Sequence, residues 1–247
     1  MPKTFLIDTS RCTACRGCQI ACKEWKNFPA VPTKQTGTHQ NPPDLGPYNY
    51  KLIRFKEYKM KERVEWLFFP EQCRHCNAPG CKEGADAILP GAIIKDEKTG
   101  AVLYTELTKK FTPQQSEDVR TMCPYNIPRR NNADGGMLTK CDMCFDRITN
   151  GQVPACVKTC CTGCMNFGER EAMLKLAEER LAKVKKTYPK AQLLDPEDVS
   201  VIFLVTESRK LYHDFAERTV QPKTQFAELN RQELLAAVAK PFKNLLG

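Results

Sequence analysis

Apolar and polar residues alternate weakly over Lys3–Asp8 (KTFLID), which predicts a strand leading into the first cysteines. Residues 50–58 (YKLIRFKEY) and 64–69 (VEWLFF) are rich in aromatic and β-branched positions and predict two strands of a small β insertion. In residues 91–104 two apolar runs flank Asp96-Glu97-Lys98-Thr99-Gly100, the pattern of a hairpin. Residues 171–186 place Met173, Leu174, Leu176, Ala177, Leu181 and Val184 at helical spacing with charges between them. That stripe predicts a helix packing on this chain or on a partner. It also carries acids, so a helix lying on a membrane surface is the weaker reading. Residues 200–206 predict a strand, and 208–218 and 230–239 predict two further helices. Between these elements, residues 29–47 carry Pro29, Pro32, Pro42, Pro43 and Pro47 and few apolar positions, and predict a surface loop.

The longest apolar runs are Trp66-Leu67-Phe68-Phe69 and Val201-Ile202-Phe203-Leu204-Val205, far short of the roughly 20 residues that cross a bilayer. No transmembrane segment is therefore expected. The N-terminal residues do not read as an export leader. The Arg129-Arg130 pair is internal and runs into Asn131-Asn132, so it does not read as a twin-arginine signal either. With 247 residues, 41% of them hydrophobic, the chain fits one large domain or two small ones. Thirty-eight basic against 29 acidic side chains give a formal charge of +9, which alone would suggest an anionic partner.

Fourteen cysteines change that picture. They fall at 12, 15, 18 and 22; at 73, 76 and 81; at 123; and at 141, 144, 156, 160, 161 and 164, with none in 165–247. In Cys12-x2-Cys15-x2-Cys18-x3-Cys22 three thiolates on a tight loop can meet three iron corners of one cubane, while the fourth points away to a second cluster. Tetrahedral zinc has no use for three such thiolates followed by a fourth. Cys73-x2-Cys76-x4-Cys81 is a triplet lacking its fourth member, and Cys123-Pro124 is a fourth member lacking its triplet. Together they make one site. Cys141-x2-Cys144-x11-Cys156-x3-Cys160 is a triplet with a long spacer and a fourth member. Exchanging fourth members between the first and last runs gives Cys12, Cys15, Cys18 with Cys160, and Cys141, Cys144, Cys156 with Cys22. Twelve ligands then make three 4Fe–4S clusters with no triplet left incomplete. The two runs, 12–22 and 141–164, read as halves of an internal pseudo-repeat. Three oxidised clusters at about −2 each would take the formal +9 to about +3, which makes nucleic-acid binding a poor inference.

The stretch Ser10 to Asn27 (SRCTACRGCQIACKEWKN) resembles the iron–sulfur electron-transfer subunits that accompany molybdopterin enzymes. The resemblance continues through Trp66 to Cys76 (WLFFPEQCRHC), Pro79-Gly80-Cys81, Lys140 to Cys144 (KCDMC), Arg147, Gly151 and Pro154 to Cys160 (PACVKTC). Within that family the chain looks most like the beta subunit of periplasmic formate dehydrogenases of sulfate-reducing bacteria, with Asn41-Pro-Pro-Asp-Leu45 and the cysteine-free tail also matching. It departs from the family at Cys161, where a proline is usual, and at Cys164.

The resemblance implies an α+β fold of two pseudo-symmetric ferredoxin-like modules, a small β insertion and a helical C-terminal tail. Residues 1–164 would form the iron–sulfur region, with one module from 1–28 and 137–164, a second from 66–136, and an insertion at 29–65. Residues 165–247 would be an α/β tail packing on the core or on a partner. It also implies electron relay from a large molybdenum- or tungsten-pterin subunit, where formate becomes carbon dioxide, to an acceptor such as a multihaem cytochrome c. The setting would be the periplasm, reached by co-export with a signal-bearing large subunit; the alternative is the cytoplasm. The same relay role for a thiosulfate, nitrate or sulfoxide reductase is the nearest alternative.

Other residues weigh less. Trp25 and Trp66 read as core packing before cluster shielding. His75 reads as a surface residue or a contact behind the ligands, and His39 and His213 as structural or exposed. Lys140, Arg147 and Lys158 either raise cluster potentials or form a solvated face. Cys161 and Cys164 read as non-ligating thiols near a cluster; a swapped ligand or redox pair is the alternative. There is no phosphate-binding glycine loop, nucleophile elbow or HExxH, so no substrate chemistry is expected of this chain. Two other classes remain for comparison: a zinc-stabilised nucleic-acid module and a disulfide scaffold.

Overall fold

The computed structural model describes residues 2–60 and 63–216. β1 (Lys3–Asp8) buries Phe5, Leu6 and Ile7 completely. Asp8 then caps a short 3-10 turn by accepting the Ser10 N–H, and α1 (Gly17–Trp25) follows the first cysteines. β2 (Leu52–Met60) and β3 (Arg63–Glu71) form a long antiparallel hairpin, close to the predicted insertion strands. Next come α2 (Gly80–Asp86) and the hairpin of β4 (Ile93–Lys95) and β5 (Val102–Tyr104), centred on the predicted turn. α3 (Pro113–Thr121) begins with a reciprocal capping box between Thr112 and Gln115 and with proline at its first position. β6 (Arg129–Asn131) and β7 (Met137–Thr139) make a third hairpin, followed by the one-turn helices α4 (Phe145–Ile148) and α5 (Ala155–Lys158). The described chain continues with β8 (Met165–Glu169), α6 (Arg170–Val184), β9 (Gln192–Leu194) and β10 (Val201–Val205).

A four-stranded mixed sheet in the order β8-β1-β10-β9 organises the described residues. β1 runs parallel to β10, with Phe5 opposite Val201, and antiparallel to β8. All five residues of β10 are buried, which explains its unbroken apolar run: a central strand covered on both faces has no use for alternation. Side-chain alternation splits the two central strands between two cores. Phe5, Ile7, Val201, Phe203 and Val205 face a core that includes Cys18, Cys156 and Cys164. Leu6, Ile202 and Leu204 share the other with Ala177 of α6, against which Met173, Leu174, Leu181 and Val184 pack. The apolar stripe of α6 thus packs on this chain. A third, smaller core joins α2, the β4/β5 hairpin and α3 through Cys81, Ala85, Ile93, Val102 and Val119.

Residues 29–47 form no helix or strand, as their prolines predict. The loop is nonetheless fastened: Gln19 donates to the Asn41 carbonyl at 2.9 Å, Gln40 accepts the Phe55 N–H at 3.1 Å, and Arg129 donates to the Leu45 carbonyl at 3.2 Å.

Two expectations are corrected. Over 208–216 there is a short 3-10 turn at Arg209–Leu211 in place of a helix. There Tyr212 drops into the core, where its hydroxyl accepts the Thr206 N–H at 3.1 Å and its ring meets Phe69, and a continuing α-helix would forgo that anchor. Trp25 and Trp66 are exposed, at 44% and 60%, instead of packed in the core. Their indole N–H groups donate to Asp146 and Glu57, both at 2.8 Å. The helix expected at 230–239 lies outside the described residues.

Candidate metal centres

The geometry starts with α1. Cys18 and Cys22 stand one turn apart on it, both buried, and point into different cavities. The first cavity is lined by Cys12, Cys15, Cys18, Cys160 and Cys164, with Ile53 and Pro70. The second is lined by Cys22, Cys141, Cys144 and Cys156, with Phe5, Tyr50, Lys51 and Gln72. α1 and α5 approach closely where Gly17 meets Thr159; a Cβ on Gly17 would stand 2.9 Å from the threonine methyl. The third group is Cys73, Cys76, Cys81 and Cys123, each of which acts electrostatically on others of the four. Cys81 enters on the first turn of α2, and Cys123 follows the end of α3. Gly80 lets the two approach, since a Cβ there would stand 2.7 Å from the Met122 carbonyl oxygen.

The three groups form a series. α1 carries a cysteine of the first and one of the second, and Cys156 feels Cys18 as well as its own neighbour Cys144. Cys141 feels Cys22 and Cys144 of its own group and Cys73 of the third.

One local device recurs at all three entrances. The residue two after the first cysteine takes a left-handed conformation: Ala14 (φ 52°), His75 (φ 48°) and Met143 (φ 65°). This turns its N–H back onto the cysteine sulfur, at 3.4 Å for His75 to Cys73 and 3.4 Å for Met143 to Cys141. Ala14 N–H does the same to Cys12. An N–H aimed at sulfur favours thiolate, the form that binds metal.

Burial works in the opposite direction. It pushes Cys18 up to about 11 and Cys123 and Cys156 up to about 12, and neighbouring thiols of each group push the same way. The thiols that burial raises in this way are poor thiolates until a cationic group joins them. Cys160 differs. The facing Cys164 thiol is the largest influence on it and holds it down to about 4, against the effect of burial. Cys164 lowers Cys12 in the same way and is itself driven far up by the two.

The donor sets fit cubane clusters. A cubane takes one thiolate at each iron, so its donors ring a cavity, whereas zinc gathers its thiolates at about 2.3 Å from one ion. Among the described residues no three His, Cys, Asp or Glu side chains converge on a single-ion site, which goes against the zinc module. All 14 cysteines are free, which goes against the disulfide scaffold. At the third group one buried polar atom, His75 Nε2, has no hydrogen-bond partner. His75 Nδ1 accepts the Val102 N–H at 3.0 Å, so Nε2 carries the ring proton and is a donor. The Tyr104 hydroxyl is hydrogen-bonded to the Cys81 thiol. A buried orphan donor beside thiols suits a group rich in sulfur acceptors.

The remaining candidates sort by burial. Lys140 and Arg147 are buried, with the Arg147 guanidinium 4.2 Å over the Trp25 ring, whereas Lys158 is exposed. His75 is fully buried and His39 is exposed; His213 Nε2 lies 2.6 Å from buried Glu71. Cys161 is exposed and belongs to no group, while Cys164 is a fifth sulfur in the first cavity. Two residues were not singled out from the sequence. Lys51, 2% exposed, sits between the first two cavities, and Tyr104 abuts the third group. Lys51 offers no sequence signal, because a lysine next to a strand ordinarily reads as solvated. Tyr104 is marked only by its place at a strand end facing Cys81.

Residues 64–170 match the family model described as a 4Fe-4S dicluster domain. "Formate dehydrogenase 2 subunit beta (cytochrome c-553)" of Nitratidesulfovibrio vulgaris is 59% identical over 218 residues, covering 87% of this chain and 99% of that protein. "Formate dehydrogenase subunit beta" of Megalodesulfovibrio gigas is 53% identical over 216 residues, covering 87% and 99%. "Formate dehydrogenase-O iron-sulfur subunit" of Escherichia coli is 37% identical over 221 residues, covering 86% and 70%.

Proposed function

The chain belongs to the family of formate dehydrogenase iron–sulfur (beta) subunits, the electron-transfer subunits of that enzyme, and on that footing we propose that it carries three 4Fe–4S clusters in series. Cys12, Cys15, Cys18 and Cys160 would hold the first. Cys22, Cys141, Cys144 and Cys156 would hold the second, and Cys73, Cys76, Cys81 and Cys123 the third. The observation that carries this reading is the partition itself: cysteines from distant segments gather in three groups, each containing one of the three sets of four, with Cys164 as a fifth sulfur in the first. The exchanged fourth members and the turn repeated after Cys12, Cys73 and Cys141 support two pseudo-symmetric ferredoxin-like modules. We take 1–164 as the iron–sulfur region and, among the described residues, 165–216 as a segment closed over it, with β8 and β10 flanking β1.

Bound in these sites, the clusters supply one-electron carriers. The chain's own residues would hold two of them through Cys18 and Cys22, one turn apart on α1, and would keep water out with Phe5, Ile53 and Met143. They also aim N–H groups at the sulfurs of Cys12, Cys73 and Cys141. Formate oxidation releases two electrons and a proton, and it belongs to a large molybdenum- or tungsten-pterin partner. A c-type cytochrome is the acceptor we favour, in keeping with the name of the Nitratidesulfovibrio relative. That pairing goes with the periplasm and with co-export by the large subunit. Among the described residues no helix is long and apolar enough to cross a membrane.

The test is formate itself. In the anaerobic complex with the large subunit, formate should bleach the broad iron–sulfur absorption near about 400 nm, and added cytochrome c should restore it. A complex whose absorption is indifferent to formate but responds to dithionite would belong to a different oxidoreductase.

A further inference from the structure

Lys51 is 2% exposed. Its ammonium donates to the Pro70 carbonyl at 2.8 Å and to Gln72 Oε1 at 2.7 Å, both neutral acceptors. No Asp or Glu among the described residues pairs with it. A buried cation without an anion is costly, so its place in the core calls for a negative partner. Its surroundings point to one. Pro70 lines the cavity of Cys12, Cys15, Cys18 and Cys160, while Gln72 and Lys51 itself line that of Cys22, Cys141, Cys144 and Cys156. Its charge acts on Cys12 and Cys18 from the first group and on Cys22 and Cys156 from the second.

Lys140 repeats the arrangement at the next junction. It is 6% exposed, and its ammonium is held by the carbonyls of Val102 and, at 2.8 Å, Cys141, again without a carboxylate among the described residues. It lies 4.8 Å from the centroid of the Tyr104 ring. It adjoins Cys141 of the second group and acts on Cys81 of the third.

We propose that Lys51 and Lys140 are inter-cluster cations, each serving two neighbouring sites: Lys51 the first and second, Lys140 the second and third. The inference rests on the three-cluster reading above. Adding an electron makes a cluster more negative, so a fixed positive charge beside it stabilises the reduced form and raises its reduction potential. One cation at a junction moves two potentials together, and the second site, flanked by both lysines, responds to either. The absence of a carboxylate partner is part of the device, since a paired lysine would present little net charge to either site.

The test is a potentiometric titration followed by electron paramagnetic resonance on the full chain purified without oxygen, with iron and sulfide counted in every sample. Lys51→Gln keeps a donor for the Pro70 carbonyl and removes the charge. It should shift two of three couples to lower potential by about tenfold in the reduction equilibrium, about 59 mV for n = 1, and leave the third in place. Lys51→Arg should restore both couples. Lys140→Gln should also shift two couples, and the variants should share one. If Lys51→Gln fails to load iron, Lys140→Gln carries the same test at its own junction. Shifts in one couple only, in all three alike, or equally in Lys51→Gln and Lys51→Arg would overturn the proposal. A wild-type chain with fewer than three couples would instead overturn the reading it rests on.

Discussion

Glu71 is fully buried against three basic side chains: the guanidinium groups of Arg54, at 3.1 Å, and Arg74, and the His213 ring, at 2.6 Å. Burial alone would raise its carboxyl, but Arg74, His213 and Arg54 together outweigh it and hold Glu71 far below the usual carboxylate range. Because the folded state keeps this proton off more readily than the unfolded chain, the stabilisation is complete above about pH 4.3 and is lost as pH falls further. Glu71→Gln should cost about 3 kcal/mol at neutral pH by leaving buried cations unanswered, and should flatten the stability profile below that pH. Urea unfolding across a pH series checks both. Among the cysteines, Cys160 lines the first cavity and Cys161 faces solvent. Cys160→Ala should leave about eight of about twelve irons, and Cys161→Ala should leave them all. At this scale the sequence was legible wherever chemistry fixes spacing. The three cysteine groups followed from counting residues between thiols. Lys51 did not, because its meaning depends on two cavities assembled from residues 5–165. Trp25 and Trp66 misled for a related reason: large aromatic side chains suggest burial, but here indole N–H groups reach surface carboxylates.

Helices and strands bring those groups together at two glycines with different tolerance. A Cβ on Gly80 would meet backbone, the Met122 carbonyl oxygen at 2.7 Å, and α2 must then retreat from the end of α3. Gly80→Ala should separate Cys81 from Cys123 and lose about a third of the iron. At Gly17 the obstacle is the methyl of Thr159, an exposed side chain able to turn away. Gly17→Ala should keep its full iron content, and iron analysis of the two variants side by side decides. Strands with strong patterns were readable at this scale. Lys3–Asp8 matched its predicted bounds, and the apolar run of Val201–Val205 became a central strand. The one-turn helices beside Cys144 and Cys156 were not, because four residues show no period. The helix expected after 208 gave way to Tyr212, whose anchoring contacts to Thr206 and Phe69 are tertiary and leave no local trace.

Across the whole molecule, one sheet and three sulfur groups share the interior. β1 sits between β8 and β10, so residues from both ends of the described chain close over the first two cavities. The formal charge of +9 has the sign needed to offset anionic clusters, and Lys51 and Lys140 place part of it in the interior, between the sites. The order of the three groups came from the structure, since spacing names the members of each group but not which groups touch. The central claim is that twelve of 14 cysteines hold three cubane clusters. Quantitation of iron and acid-labile sulfide per chain, on protein purified without oxygen, tests it most directly. About twelve of each are expected. Four or eight of each would contradict the three-site reading, and zinc without sulfide would contradict the account as a whole.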